Sequence, residues 1–173
     1  GGGSAGTREG ATAFLRAAVV SDLELMRLLL EHGADPIVTT EVGGTSLQLA
    51  AGVGWVDNTM STAVGLGSAT EEDSIEVLMM LLELGLDVNA ADDQGNTAMH
   101  GAASRGADAV VRFLAARGSR LDAKTKRREI PGNVNDSRVF IEPGRSPVDM
   151  ALLASPPRIG TVRLCLFYTS PRP

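Results

Sequence analysis

The fold is decided by residues Asp92–Ala123, which read DDQGNTAMHGAASRGADAVVRFLAARGSRLDA. Thr97 precedes an apolar segment, where its side-chain oxygen can cap the free N–H groups of a short helix. The alanines at 102 and 103 let that helix lie close to its neighbours. Apolar residues at 110, 111, 113 and 114 follow with helical spacing, and Gly118 stands where a left-handed residue ends a helix. The stretch therefore predicts two short helices joined by a turn.

The same pattern occurs four times along the chain. The hydroxyl residues that begin it are separated by 33, 52 and 49 residues, and they are Thr12, Thr45, Thr97 and Ser146. The glycines that end the second helix are separated by 52 and 33 residues, and they are Gly33, Gly85 and Gly118. Both markers give a period of 33 residues, with insertions at defined places. Since one helix pair cannot bury its apolar face alone, we expect the repeats to stack into a solenoid.

This period and this order of elements resemble the ankyrin repeat family. The unit of that family is a β-turn followed by two antiparallel helices, with the signature Thr-Pro-Leu-His-x-Ala. The sequence departs from the signature at two of its positions. The Pro is replaced by Ala13, Ser46 and Ala98, and the His is replaced by Leu15, Gln48 and Asp149. The resemblance implies an all-α solenoid of helix-turn-helix units with short β-hairpin fingers.

The predicted organisation is a repeat domain at residues 8–165 between two other segments. Residues 1–7 are predicted to be flexible, and residues 166–173 are predicted to form an irregular tail. The repeats are assigned to residues 8–40, 41–91, 92–124 and 125–165, with insertions at 55–73 and 125–143. Because the chain begins at Gly1 without a Met, we expect further chain upstream. The tail reads either as an irregular terminus or as a stretch foreign to the protein.

The second insertion predicts a lengthened finger. It combines a turn around residues 131–133 with a β-prone segment at 138–141. Across residues 124–145 there are six Lys and Arg residues against three Asp and Glu, so this finger is basic.

Composition and charge exclude several classes of function. Sixteen basic and 21 acidic residues give a net charge of −5, which disfavours nucleic acid as the partner of the whole surface. The single cysteine, Cys165, excludes an intramolecular disulfide and a Cys-rich zinc site. No apolar run approaches the roughly 18 residues of a membrane span.

His32 and His100 are interpreted as structural, because neither has a nucleophile or metal ligand at a motif spacing. We therefore predict no catalytic residue, no metal and no cofactor.

The resemblance implies a non-catalytic scaffold that binds another protein. In the family, partners lie along the concave face formed by the finger tips and the first helices. The recurring framework residues are used in stacking, so specificity is expected at the variable positions between them. By residue alignment, the predicted partner-binding residues are Arg8, Glu9, Val19, Val20, Glu41, Val42, Asp93, Gln94, Asn96, Ser104, Arg105, Glu142 and Arg145.

Two other functions stay open from the sequence. The chain could be a regulatory or anchoring domain of a larger enzyme encoded upstream. Alternatively, the basic finger at 124–145 could contact nucleic acid or an anionic surface, although no base-stacking aromatics are interleaved with its basic cluster. The sequence specifies neither the partner nor the compartment.

Overall fold

The structure is a computed structural model that describes residues 12–53, 70–126, 128–131, 139–142, 144–154 and 156–169. The predicted flexible segment at 1–7 and Trp55, which begins the first predicted insertion, lie outside the described residues. Within those ranges the chain forms helices in four consecutive pairs and one pair of strands. No helix in the described ranges has the length and apolar character needed to cross a membrane.

The elements follow the predicted order. They are α1 (Ala13–Val19), α2 (Leu23–Glu31), α3 (Ser46–Ala51), α4 (Glu71–Glu83), α5 (Ala98–Arg105), α6 (Asp108–Ala116), β1 (Arg128–Pro131), β2 (Val139–Glu142), α7 (Pro147–Leu153) and α8 (Ile159–Thr169). The first helices of the pairs, α1, α3, α5 and α7, pack against one another in sequence order, and the second helices, α4, α6 and α8, do the same. This arrangement is the predicted all-α solenoid.

Hydroxyl residues begin the first helices, as predicted. The side-chain oxygens of Thr12, Thr45 and Ser146 each accept a hydrogen bond from the backbone N–H three residues later, at 3.3 Å. Each bond satisfies a donor that the first turn of a helix leaves free, which stabilises the helix by about 1 kcal/mol.

The second helix of repeat 2 begins earlier than the sequence indicated. Thr70 Oγ1 accepts a hydrogen bond from the Asp73 N–H at 3.1 Å, and Asp73 Oδ2 accepts one from the Thr70 N–H at 2.8 Å. This reciprocal capping box starts α4 at Glu71. The predicted insertion limit at residue 73 is therefore wrong by several residues, because residues 71–73 form the first turn of the helix.

The core is a thin layer between consecutive helix pairs. Leu47 and Met99 of the first helices and Leu81 and Leu114 of the second helices have no exposed surface. Burial of a side chain of this size contributes about 1.5–3 kcal/mol. Small residues such as Ala50 lie in the same core and allow the helices to approach closely.

The last helix extends beyond the predicted repeat boundary. α8 continues to Thr169, whose hydroxyl donates a hydrogen bond to the Cys165 carbonyl at 3.1 Å. Residues 166–169 are therefore helical, and the predicted irregular tail begins four residues too early. Cys165 lies in the core, where burial raises the pKa of its thiol to about 11.

Candidate partner-binding face

Three fingers precede the helix pairs of repeats 2, 3 and 4, and the same hydrogen bonds close each of them. We define finger 2 as residues 40–44, finger 3 as residues 92–96 and finger 4 as residues 125–145. The backbone N–H of the first residue donates to the carbonyl of the last: Thr40 to Gly44 at 2.9 Å, Asp92 to Asn96 at 3.0 Å, and Thr125 to Arg145 at 2.9 Å. The side chain of the first residue accepts from the N–H of the last, at 3.0, 2.8 and 2.9 Å.

Finger 4 is lengthened by a β-hairpin. Strands β1 and β2 pair antiparallel, with Arg128 opposite Glu142 and Pro131 opposite Val139. Both strands lie within the predicted lengthened finger, whereas residues 132 and 133 of its predicted turn lie outside the described residues. The bonds between Thr125 and Arg145 match those that close fingers 2 and 3.

Backbone hydrogen bonds join the fingers into one row. The Asp93 N–H of finger 3 donates to the Val42 carbonyl of finger 2 at 2.9 Å. The Lys126 N–H of finger 4 donates to the Gln94 carbonyl of finger 3 at 2.7 Å. We call fingers 2, 3 and 4 together the finger row. Because these bonds involve only backbone atoms, they leave the exposed side chains of Glu41, Asp93 and Gln94 available for contact.

In repeats 2 and 3, a buried side chain of the first helix supports the next finger. His100 Nδ1 accepts the Thr97 N–H at 3.1 Å, and His100 Nε2 lies 3.0 Å from the Arg145 carbonyl of finger 4. Nδ1 can accept only when it carries no proton, so Nε2 carries the proton and donates. Burial lowers the pKa of His100, while its bonds to the Arg145 and Ala123 backbones oppose that shift.

Gln48 replaces the family's His and makes the same connections. Its Oε1 accepts the Thr45 N–H at 2.6 Å. Its Nε2 donates to the carbonyls of Ala90 at 3.0 Å and Asn96 at 2.6 Å, which belong to the following finger region. An amide and a neutral imidazole both offer one acceptor and one donor on opposite sides, so the replacement preserves the link between repeats.

The other two residues that replace the family's His, Asp149 and Leu15, do not make these connections. Asp149 completes a capping box, in which its Oδ2 accepts the Ser146 N–H at 2.8 Å. The hydrogen bonds from Ser146, first the hydroxyl and then the backbone, lower the pKa of Asp149. Leu15 has no hydrogen-bonding side chain and is fully buried in repeat 1. The connection to the following finger is therefore made by His100 and Gln48.

The predicted partner-binding residues of the fingers fall into two groups. The side chains of Glu41, Asp93 and Gln94 are exposed, whereas those of Val42 and Arg145 are partly buried. Asn96 is also partly buried, and its Nδ2 donates to Asp92 Oδ2 at 2.9 Å. Arg8 and Glu9 lie outside the described residues, and Glu142 is described only as backbone in β2. The structure thus brings Glu41, Asp93 and Gln94 together on the finger row.

The predicted residues at the ends of the first helices are not freely exposed. Val19, Val20, Ser104 and Arg105 are all partly buried. The Arg105 stem packs against Gly52 so closely that a Cβ on Gly52 would collide with Arg105 Cδ. Burial lowers the pKa of Arg105, and the nearby Glu71 carboxylate opposes the shift. Arg105 therefore fills the space beside the preceding repeat. The alignment that assigned Arg105 to the partner-binding residues did not indicate this packing.

Sequence reasoning also missed Glu71, which links repeats 2 and 3. The second helix of repeat 3 starts after Ala107, which has no side-chain oxygen to cap it. Glu71 Oε2 instead accepts the Ala109 N–H at 2.6 Å. A carboxylate at a helix N-terminus is favoured by the helix dipole as well as by this bond. No local motif indicates such a cap, because the two residues are 38 positions apart.

Asn89 performs a similar linking role in the turn after α4. Its Nδ2 donates to the Gly118 carbonyl at 3.1 Å, and its Oδ1 accepts the Arg120 N–H at 2.8 Å. Ile37 stands at the corresponding position of repeat 1, four residues after its helix-ending glycine, and is 68% exposed. One turn is thus joined to the next repeat by two hydrogen bonds, whereas the other exposes an apolar side chain.

The described side chains contain no cluster suited to a metal. Over those residues, no group of three or more His, Cys, Asp or Glu side chains lies close enough together to hold an ion. The chemistry that the finger row offers is hydrogen bonding and charge. It comes from the carboxylates of Glu41 and Asp93, the amide of Gln94 and the ammonium group of Lys126, with the exposed Lys124 directly before finger 4.

Comparison with known sequences agrees with this geometry. Residues 9–41 match the family model described as Ankyrin repeat, and residues 68–115 match the one described as Ankyrin repeats (many copies). Both stretches therefore carry ankyrin repeats. It is similar to an ankyrin repeat protein of Fowlpox virus (strain NVSL), with 32% identity over 117 residues. That match covers 61% of this chain and 27% of the viral protein, so the chain spans about a quarter of that relative's length. Ankyrin repeats generally mediate protein–protein interaction and are generally non-catalytic.

Proposed function

We propose that this ankyrin repeat chain is a recognition scaffold that binds a partner protein along its concave face, with the finger row as the main contact surface. The observation that supports the proposal most is the combination of exposed side chains and a fixed backbone. Glu41, Asp93 and Gln94 are exposed, while hydrogen bonds from Asp93 to Val42 and from Lys126 to Gln94 hold the fingers in register. A backbone that is already fixed does not have to be ordered when the partner binds.

The role of the whole protein is a separate proposal. A recognition scaffold of this kind could serve as the regulatory or anchoring part of a larger enzyme, as the sequence left open. That possibility is compatible with the same finger row, because in both cases the chain contributes a binding surface and no reacting group.

The proposal is tested by selecting peptides from a displayed random library on the purified chain. The selected peptides are then titrated against a finger variant, Glu41→Ala/Asp93→Ala/Gln94→Ala. We expect this variant to lose at least about tenfold in affinity, because interface truncations of central residues cost 1–2 kcal/mol or more.

A matched control separates contact from damage to the fold. Glu31, Glu83 and Arg112 are exposed side chains of the second helices and belong to none of the fingers. Their triple alanine variant should bind like the parent, and all three proteins should unfold at the same denaturant concentration. Equal binding by the finger variant and the control would refute the finger row as the contact surface.

A further inference from the structure

The exposed charges of the finger row are separated by sign. Glu41 of finger 2 and Asp93 of finger 3 are exposed acidic residues. They belong to adjoining fingers, because a Cβ on Gly43 of finger 2 would lie only 3.3 Å from Asp93 Oδ1. Lys126 is exposed at the start of finger 4, and Lys124 is exposed directly before it. The finger row therefore carries negative charge over fingers 2 and 3 and positive charge at finger 4.

A neighbouring carboxylate offsets only part of the positive charge at this end. Asp149 interacts with Lys124 and Arg145, and both cations lower its pKa. Its Oδ2, however, accepts two hydrogen bonds from Ser146, at 2.8 Å from the backbone and 2.7 Å from the hydroxyl. Asp149 is thus held at the start of α7. Lys126, which follows the closing residue Thr125, extends the positive charge onto the finger itself.

The backbone bonds also set the spacing between the charges. Each finger is two chain segments wide, and adjacent fingers are hydrogen-bonded directly to each other. Since hydrogen-bonded segments lie about 4.8 Å apart, successive fingers repeat at about 10 Å. An extended peptide rises about 3.3 Å per residue, so it passes one finger for roughly every three residues.

From this geometry we propose the chemistry of the partner, an inference that rests on the proposed function. The partner presents an extended segment in which two basic residues, about three positions apart, lie over fingers 2 and 3. An acidic residue about three positions further along lies over finger 4. A uniformly anionic ligand such as nucleic acid fits this row poorly, because Glu41 and Asp93 repel its phosphates.

The effect of the charge order on peptide affinity follows from the exposure of the charged side chains. A single exposed ion pair changes an equilibrium by no more than a few fold and is screened by salt. Three pairs arranged in one row together change affinity by about tenfold at low salt, and most of this effect disappears at high salt. Charge order therefore selects among peptides, while the rest of the affinity comes from uncharged contacts.

The test uses peptides of about 12 residues selected on the parent chain, which is long enough to cover the three fingers. We expect the selected peptides to share the pattern of two basic residues and one acidic residue at these spacings. Moving the acidic residue of a selected peptide between its two basic residues, without changing composition, should weaken binding by about tenfold at low salt.

Charge reversal on the protein provides the second arm. Glu41→Lys/Asp93→Lys should weaken binding of the selected peptides by about tenfold. The control Glu31→Lys/Glu83→Lys changes the net charge equally but lies at the ends of α2 and α4, so it should bind like the parent. Single-stranded oligothymidylate should bind the parent more weakly than the peptides do, and Glu41→Lys/Asp93→Lys should strengthen that binding.

The outcomes distinguish this inference from the proposed function. If the alanine variant of the fingers loses the peptides but charge reversal and reordering have no effect, the charge pattern is refuted and the finger row remains the contact surface. If no finger variant affects binding, both proposals fail. If the parent binds oligothymidylate more tightly than the selected peptides, the inferred partner is wrong and finger 4 is an anion-binding surface.

Discussion

Replacing His100 tests whether one buried ring holds finger 4 onto repeat 3. His100 is 1% exposed, and its two nitrogens contact the start of its own helix and the base of the next finger. His100→Ala removes both contacts and leaves a cavity. His100→Gln keeps one acceptor and one donor in the arrangement that Gln48 already uses one repeat earlier.

The loss of stability in His100→Ala can be worked out from the groups to which the ring is hydrogen-bonded. The buried Thr97 N–H loses its acceptor, which costs about 1–3 kcal/mol. The Arg145 carbonyl still accepts the Thr125 N–H, so losing the bond from His100 costs only about 1 kcal/mol. With a cavity contribution, we expect the free energy of unfolding to fall by roughly 3–4 kcal/mol in His100→Ala. For His100→Gln we expect a loss of less than about 1 kcal/mol.

The same ring makes stability depend on pH. Burial lowers the pKa of His100 below the ordinary value of 6.5, although the carboxylates of Asp92 and Asp149 partly oppose the shift. Below pH 6.5 the unfolded chain therefore binds more protons at this position than the folded chain. The stability contributed by neutral His100 is complete above that pH and is lost as the pH falls. The slope is at most about 1.4 kcal/mol per pH unit for one proton. In His100→Gln this loss should be absent.

The measurement is urea unfolding followed by far-ultraviolet circular dichroism, from about pH 7.5 to about pH 5. The other histidine, His32, is exposed and is retained in every variant, so the difference between parent and His100→Gln isolates His100. If His100→Gln is as unstable as His100→Ala at neutral pH, the ring is not equivalent to Gln48. If parent and His100→Gln lose stability in parallel as the pH falls, the protonation of His100 is not coupled to folding.

Three further substitutions test other links in the stack. Ile37→Asn should stabilise the chain by about 1–2 kcal/mol in urea unfolding, because Asn89 makes two hydrogen bonds to the next repeat from the corresponding position; an unchanged midpoint would show that the repeats differ there in geometry. Leu81→Ala should destabilise by about 2–5 kcal/mol, since the side chain is fully buried, and a parent-like midpoint would contradict its placement in the core. Glu71→Ala should cost about 1–2 kcal/mol by uncapping α6, whereas its exposed neighbour Glu72→Ala should cost less than about 0.5 kcal/mol. Equal costs for the two glutamates would argue against the cap between repeats.

Much of the fold could be predicted because its determinants are local. A hydroxyl residue such as Thr45 caps the helix that starts beside it, and a glycine such as Gly85 ends a helix in the left-handed conformation, with φ of 91°. The turn signal at residues 131–133 and the β-prone segment at 138–141 indicated the lengthened finger, although they did not indicate the strand at 128–131. At the fingers, the exposed residues Glu41, Asp93 and Gln94 were also predicted from alignment alone.

The sequence by itself thus determined the helix pairs and their likeness to ankyrin repeats, since capping residues and helix-ending glycines act on residues a few positions away. The recurrence of these local signals gave the 33-residue period. Only the tertiary structure decided how the repeats are joined. Gln48 reaches a carbonyl 48 residues away, Glu71 caps a helix 38 residues away, and Arg105 packs against Gly52 of the preceding repeat. These contacts depend on how closely the repeats stack. Insertions change the number of residues between the two partners of a contact without changing which repeats are neighbours in space. A partly buried Arg105 and an exposed Arg at the same position are therefore indistinguishable until the repeats are stacked.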